Sequence, residues 1–349
     1  VTVQPPENEG LSARECKATL YWGTQELVVA DHAEQIDLDL FGADLKTVGP
    51  VAAFQVKKAN DACCVSYQIY SLKRPPELLR TLTGGSTFTA SDKDLDGRIE
   101  IWTDDSAAVN GLDGLLVSEM NYPPAYVLRF EKTGVLDATR EFREYFDDIV
   151  EHIRGQIKLD SLREFKLSDG RLHANLSSDF SQLHRLKIVK IQILEIVWAY
   201  LYSGREQEAW RNLAEMWPAG DVERIRSAIT NARANGVLAQ IDGVSSGGLA
   251  TRKRKVWVYK QSEVTPAQPI YLWWPAPISP VDSSMLDHEF AVDLVIDSAG
   301  KVSSAVPVGE RGSSAADIVS VVKAWKFIPG MKNGHSVASH LRLITSLKR

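Results

Sequence analysis

Between residues 25 and 130, apolar and polar positions alternate in short runs at 25–30, 51–56, 64–72, 87–90, 98–103 and 126–130. Each run is β-rich and bounded by Gly, Pro, Asp or Asn. This first part of the chain is predicted to be mainly sheet. From 139 to 235 the period lengthens: Phe142, Phe146, Ile149, Ile153 and Ile157 recur every three or four residues, as do Leu183, Leu186, Val189, Ile193, Val197 and Leu201. One apolar stripe per segment predicts packed helices. Ser203-Gly204-Arg205 supplies a turn, helical spacing resumes over 206–217 up to Pro218, and Asp221 is placed to cap a last helix carrying Val222, Ile225, Ile229 and Ala232 on one face. Ser, Gly and basic residues then predict a linker, with a short strand at 255–260. Alternation returns at 288–296, Ser298-Ala299-Gly300-Lys301 reads as a hairpin turn, 302–308 continues as a strand, 313–325 is helical by period, and 336–345 is a final strand. The expected architecture is multidomain α+β: a β domain over 1–137, a helical bundle over 138–242, a linker over 243–268 and a small domain of order strand, strand, helix, strand over 269–349.

With 349 residues, 44% of them hydrophobic, the chain exceeds what one core usually fills, and whole-chain disorder, collagen and coiled coil are excluded. The 40 basic and 45 acidic residues give −5, a balance that offers no field for a nucleic-acid partner. The most apolar stretch, 188–202, is interrupted by Lys190, Gln192 and Glu195, so no membrane span is expected. The sequence starts at Val1 without a basic-then-apolar leader, which reads as a processed chain and gives a periplasmic or extracellular expectation. Cys16, Cys63 and Cys64 lack metal-ligand spacing. A disulfide from Cys16 to Cys63 or Cys64 is expected, with three buried thiols as the alternative.

The strongest chemical signal is Asp92-Lys93-Asp94-Leu95-Asp96-Gly97-Arg98-Ile99-Glu100, with carboxylates at relative positions 1, 3, 5 and 9 and Gly at 6. Calcium takes about six to eight oxygen ligands, and alternation in a tight loop can aim several carboxylates at one point. An EF-hand would need Glu at position 12, where this chain has Thr103, and 99–102 alternates as a strand. The loop is therefore predicted to join two strands and to hold one structural calcium ion through Asp92, Asp94, Asp96, the carbonyl of Arg98 and Glu100. A solvated acidic turn is the alternative, but three Asp side chains within five residues repel, and Asn or Ser would shape a turn without that cost. Asp104 and Asp105 read as surface charges.

The segment from Ser91 to Trp102, S-D-K-D-L-D-G-R-I-E-I-W, resembles the calcium hairpin D-x-D-x-D-G-x-x-[D/E] of FG-GAP or VCBS-type repeats, found in β-propeller blades and bacterial surface proteins. The strand at 64–72, and that at 126–130 with Val135-Leu136-Asp137, fit blade-like surroundings. One copy of the loop implies a partial, propeller-like antiparallel sheet.

A second resemblance rests on Val292-Asp293-Leu294-Val295-Ile296-Asp297-Ser298-Ala299-Gly300-Lys301-Val302, on Val322-Lys323-Ala324-Trp325-Lys326-Phe327-Ile328-Pro329-Gly330 and on Asn333-Gly334-His335-Ser336-Val337. Together they are similar to the TonB C-terminal domain family. That resemblance implies a small ββαβ module recognising bacterial envelope proteins, often by accepting a strand at a sheet edge. Trp325, Phe327 and Pro329 are then core and turn residues. Energy-coupling members also carry a membrane anchor and a Pro-rich spacer, neither of which this sequence shows. A borrowed binding domain is the expectation, and transport coupling an alternative.

Weaker signals complete the reading. Tyr200-Leu201-Tyr202-Ser203-Gly204-Arg205 with Ala209-Trp210-Arg211-Asn212-Leu213 has the look of one tetratricopeptide-type hairpin, or of an ordinary bundle. Gly243-Val244-Ser245-Ser246-Gly247 matches G-x-S-x-G but lacks the preceding strand and following helix of a nucleophile elbow, so a hydrolase using Ser245 is only an alternative function. The seven His residues form no H-E-x-x-H or local metal pair. Arg252-Lys253-Arg254-Lys255 is a basic run, Tyr271-Leu272-Trp273-Trp274-Pro275 a covering or partner-binding ridge, and Asn175-Leu176-Ser177 a formal glycosylation acceptor. The expected function is that of a non-catalytic, exported bacterial envelope protein, stabilised by calcium and engaged in protein interaction.

Overall fold

Residues 51 to 56 show how the first sheet is built. Val51 and Ala53 face one hydrophobic core, while Ala52, Phe54 and Val56 face another, the two-residue period of a strand buried on both faces. The computed structural model describes residues 2–4, 16–46, 48–58, 63–172, 180–245, 256–270, 289–309 and 313–346. His173, Asn175-Leu176-Ser177, the basic run at 252–255, the aromatic ridge at 271–275 and His288 lie outside them.

The strand Pro50–Lys57 sits in an antiparallel four-stranded meander of Gln35–Asp44, Pro50–Lys57, Ser66–Ser71 and Glu77–Leu82. Ahead of it, Cys16–Trp22 and Gln25–Ala33 form a hairpin that turns at Gly23. A second sheet runs antiparallel through Phe88–Ser91, Glu100–Asp104, Ala125–Glu131 and Gly134–Asp137, with Gly243–Val244 added in parallel. These open sheets and the helices described below make the chain mixed α+β. All six predicted strands of this region are present to within a few residues. Gln35–Asp44 was missed because Asp37 and Asp39 look like turn residues, and both are paired by lysines more than 250 positions away.

The helices follow the predicted period at Arg143–Gln156, Phe180–Tyr202, Glu206–Met216 and Val222–Ala234, with Leu159–Lys166 in addition. Phe180–Tyr202 departs from the one-stripe expectation: every residue from Val189 to Ala199 is buried. The polar residues that break its apolar run are accommodated inside. Lys190 Nζ pairs with Asp113 Oδ2 at 2.7 Å, and Glu195 Oε1 accepts the amides of Asn121 and Tyr122 at 2.7 and 2.8 Å. Asp221 stands at the N-cap of Val222–Ala234 but its carboxylate does not cap; it accepts from Trp217 Nε1 and from Arg224. One hydrophobic core runs from Leu40, Tyr67 and Phe88 in the sheets through Phe146, Ile193, Trp198 and Ile229 in the helices. No helix among the described residues is long and apolar enough to cross a membrane.

The cysteine expectation is corrected. Cys63 bonds to its neighbour Cys64, and Cys16 is free. Cys16 begins a strand paired with Gln25–Ala33, where its thiol donates to the carbonyl of Glu34 at 3.8 Å, whereas Cys63 and Cys64 precede Ser66–Ser71.

The C-terminal module has the expected order: Glu289–Ile296, Val302–Val308, helix Ser313–Lys323 and Ser339–Ser346, with Glu289–Ile296 in the middle of the sheet. Ile318 and Val322 pack on Val292, Leu294, Ile296, Trp325 and Phe327. The last strand begins at Ser339 because His335–Val337 turns back on Gly330–Lys332. Gly300, at φ +81°, cannot be replaced without collision, since a Cβ there would meet the carbonyl oxygen of Phe327. Residues of the expected linker lie along this module, with Tyr259 bridging Ser339 and Thr265 bridging Met331.

The shared core leads to an expected outcome. Ile193→Ala should cost about 2–5 kcal/mol in denaturant titration, and hydrogen exchange should show the strands Glu100–Asp104 and Ala125–Glu131 loosening together with the helices.

Candidate metal centre

The acidic loop sits where the hairpin of Phe88–Ser91 and Glu100–Asp104 opens. Gly97 adopts φ +78°, so the residue at position 6 supplies the left-handed turn, and Leu95 enters the same region at +54°. Asp92 lies at the end of the first strand with no exposed surface. Its two oxygens collect the loop: the amide of Asp96 donates to Oδ1 and that of Gly97 to Oδ2, each at 2.9 Å. Asp94 Oδ1 accepts more weakly from the Asp96 amide, at 3.4 Å.

Glu100 opens the second strand and is also completely buried. Its Oε1 takes two hydrogen bonds from Arg129, 3.0 Å from Nε and 2.7 Å from Nη2. Its Oε2 has no hydrogen-bond partner. A buried carboxylate oxygen without a donor is costly, and a cation is one of the few groups that can satisfy it. Ser91, directly across the strands from Glu100, likewise buries an unpartnered Oγ. One oxygen from each of Asp92, Asp94 and Glu100 falls within 4.8 Å of the others, a grouping that could hold a metal ion.

Of the predicted ligands, the fold thus brings Asp92, Asp94 and Glu100 together. Asp96 turns elsewhere: its Oδ2 accepts from Arg98 Nε and Nη2 at 2.9 and 2.8 Å, and its Oδ1 from the Arg98 amide at 2.8 Å. Beside the loop a cavity of about 130 Å³ is lined by Asp44, Lys46, Gly97, Arg98 and Arg129 among others, so this side of the loop faces open space rather than packed core.

Burial pushes the Asp92 carboxyl up to about 7, helped by the nearby charges of Asp297 and Asp96 and opposed by Ser298 and the Gly97 amide. Burial pushes Glu100 up to about 8 against the pull of Arg129. Both groups resist ionisation as they stand, and a divalent ion is the counter-charge that would let them ionise. Lys93, whose ammonium lies 3.5 Å from the centroid of the Trp102 ring, is pushed down by burial.

Several partners of the site are absent from any local pattern. Arg129 bridges Glu100 to Glu141, whose Oε1 lies 2.6 Å from Nη1. The only sequence signal was a charge in the middle of an apolar β run. Ser298 Oγ donates to Asp92 Oδ2 at 2.8 Å, and the Asp92 amide donates to Asp297 Oδ2 at 2.9 Å. The predicted hairpin turn is present, but it is buried against the loop rather than at the surface. Asp104 and Asp105 also correct the reading as surface charges. Asp104 accepts from the amides of Ser86 and Ser106 at 2.9 and 3.0 Å, and Asp105 accepts from Tyr202 Oη at 2.7 Å and from the Val237 amide at 2.9 Å. Asp104 thus fastens the turns beside the strand end, and Asp105 ties that end to the helix Phe180–Tyr202. Ser245 Oγ accepts from Arg129 Nη1 at 3.3 Å, a donor that cannot take a hydroxyl proton.

No family model, curated protein or solved structure matches the chain.

Two outcomes test this geometry. Arg129→Met strips the buried Glu100 Oε1 of both its donors and takes from Glu141 one of its two cations, Arg98 being the other, and should cost about 3–5 kcal/mol by denaturant titration. In chelator, the folded protein keeps protons on Asp92 and Glu100 to about pH 7 and 8, while unfolded carboxyls release theirs near about pH 4. Their contribution to stability is then fully present below that lower value and is lost as pH rises to about 8. Melting curves in chelator should shift downward between pH 5 and 8, and Glu100→Gln should flatten the shift.

Proposed function

We propose that this protein binds one structural calcium ion in the loop 92–100 and is a non-catalytic, exported envelope protein that engages other proteins through its C-terminal module. The observation that carries the metal reading is the buried Asp92, Asp94 and Glu100 group with its unsatisfied Glu100 Oε2. The donors are all hard oxygens, without imidazole or thiolate, which favours calcium or a similar cation over zinc or copper. Asp96 and the carbonyl of Arg98 are the loop's remaining donors, and Asp96 joins by leaving Arg98. Bound there, the ion would supply charge compensation and rigidity to the hairpin.

The interaction reading draws on the sequence likeness to TonB C-terminal domains, on the ββαβ order, and on Val302–Val308, which bonds to Glu289–Ile296 and, among the described residues, forms the edge of its sheet. Such an edge presents backbone donors and acceptors to an incoming strand. The likeness of the loop to FG-GAP or VCBS hairpins supports the same placement among bacterial surface proteins.

The test is calorimetry of the wild type and an Asp94→Ala/Asp96→Ala variant, each with calcium and with EDTA. Calcium should raise the wild-type melting temperature and leave the variant unmoved. Identical melting under all four conditions would reject the calcium reading.

A further inference from the structure

The loop is not closed by its own hairpin. Asp92 is held from outside by Ser298, through Oγ to Oδ2 at 2.8 Å, and by Asp297, which receives the Asp92 amide on Oδ2 at 2.9 Å. Asp297 spends its other oxygen on its own turn, where Oδ1 accepts the amides of Ala299 and Lys301 at 2.9 and 2.8 Å. One carboxylate therefore both shapes the turn of the C-terminal module and fastens it to the metal loop. Asp92 and Asp297 are 0% and 2% exposed, so the charge of Asp297, bonded to the Asp92 amide, acts on the Asp92 carboxyl where water cannot screen it.

The rest of the contact is charge-matched. Lys326 Nζ reaches Asp37 Oδ1 at 2.8 Å and the carbonyl of Leu38 at 2.6 Å; Lys301 Nζ reaches the Asp39 carboxylate and, at 2.7 Å, its carbonyl; His335 Nδ1 meets Asp44 Oδ2 at 2.6 Å. Each acidic residue of this row on Gln35–Asp44 faces a basic group of the module. The like charges of Asp92 and Asp297 are the exception, and a divalent cation beside Asp92 is what would balance them.

We propose that the metal centre is assembled from both ends of the chain: Ser298 and Asp297 are positioning residues for Asp92, so that cation binding and docking of the C-terminal module are a single coupled event. The inference rests on the calcium reading above and deepens it. A docked turn fixes the Asp92 carboxylate and removes the ordering cost from binding; the ion in turn offsets the repulsion that opposes docking. Linkage requires the two effects to be equal in size.

Calcium titration of the full chain by calorimetry separates this inference from the reading beneath it. The wild type should bind calcium. Ser298→Ala should weaken binding about ten-fold, the worth of one hydrogen bond to a charged group. Lys326→Met, whose ammonium bonds to Asp37 and Leu38 rather than to the loop, should weaken it several-fold. Wild-type binding with both variants unchanged would overturn the inference and leave the calcium reading standing; no wild-type binding would remove both. A second measurement needs no variant: amide exchange at 297–301 in the wild type should slow when calcium replaces chelator, and equal exchange in the two conditions would also overturn the inference.

Discussion

A carboxylate taken out of water must be met by donors or by positive charge, and in this protein that requirement falls on two residues eight positions apart in sequence. Asp92 is met by loop amides and a serine hydroxyl, Glu100 by a guanidinium on one oxygen only. The surroundings are arranged around this need. Arg129 must be inside to face Glu100, Glu141 must be inside to share Arg129, and the turn at 297–301 must lie against the loop to complete the shell of Asp92. Such a buried polar set is strongly destabilising when one member is removed, and it specifies one arrangement of the strands that carry it.

The same need explains why the parts of the chain do not behave as beads. The acidic loop lies on a sheet whose strands share a core with the helices, and Asp105 extends the polar connection from the strand end into the helical region. The C-terminal module has a core of its own, and joins the rest mainly through polar contacts, the lysine–aspartate pairs and the turn on Asp92 among them, with Ala299 reaching the main core. Contacts of that kind give orientation more than affinity.

What could be read in advance follows from range. The loop was legible because all its chemistry lies within nine consecutive residues, where spacing alone dictates which side chains can converge. The strands of the first third and the main helices were legible because period reports which face is buried. Arg129, Asp297 and Ser298 were not, since nothing local tells a charge in an apolar run that its partner is a glutamate 29 positions away, or a hairpin turn that it will be covered by a loop some 205 positions earlier. The strand Gln35–Asp44 failed for the same reason: its aspartates look solvent-seeking until Lys301 and Lys326 are seen. The cysteines differ: their spacing offers Cys63 and Cys64 as alternatives for the distant Cys16, and the fold makes them partners for each other.

Lys93 occupies the second position of the acidic loop, and its ammonium lies over the indole of Trp102, which makes T-shaped contacts with Phe142 and Tyr145. Any rearrangement that draws the neighbouring carboxylates inward alters how that cation sits on the ring. An indole senses the electric field of a charge so close to it, so the chain carries an intrinsic optical gauge of its loop, read as emission from a side chain already in place.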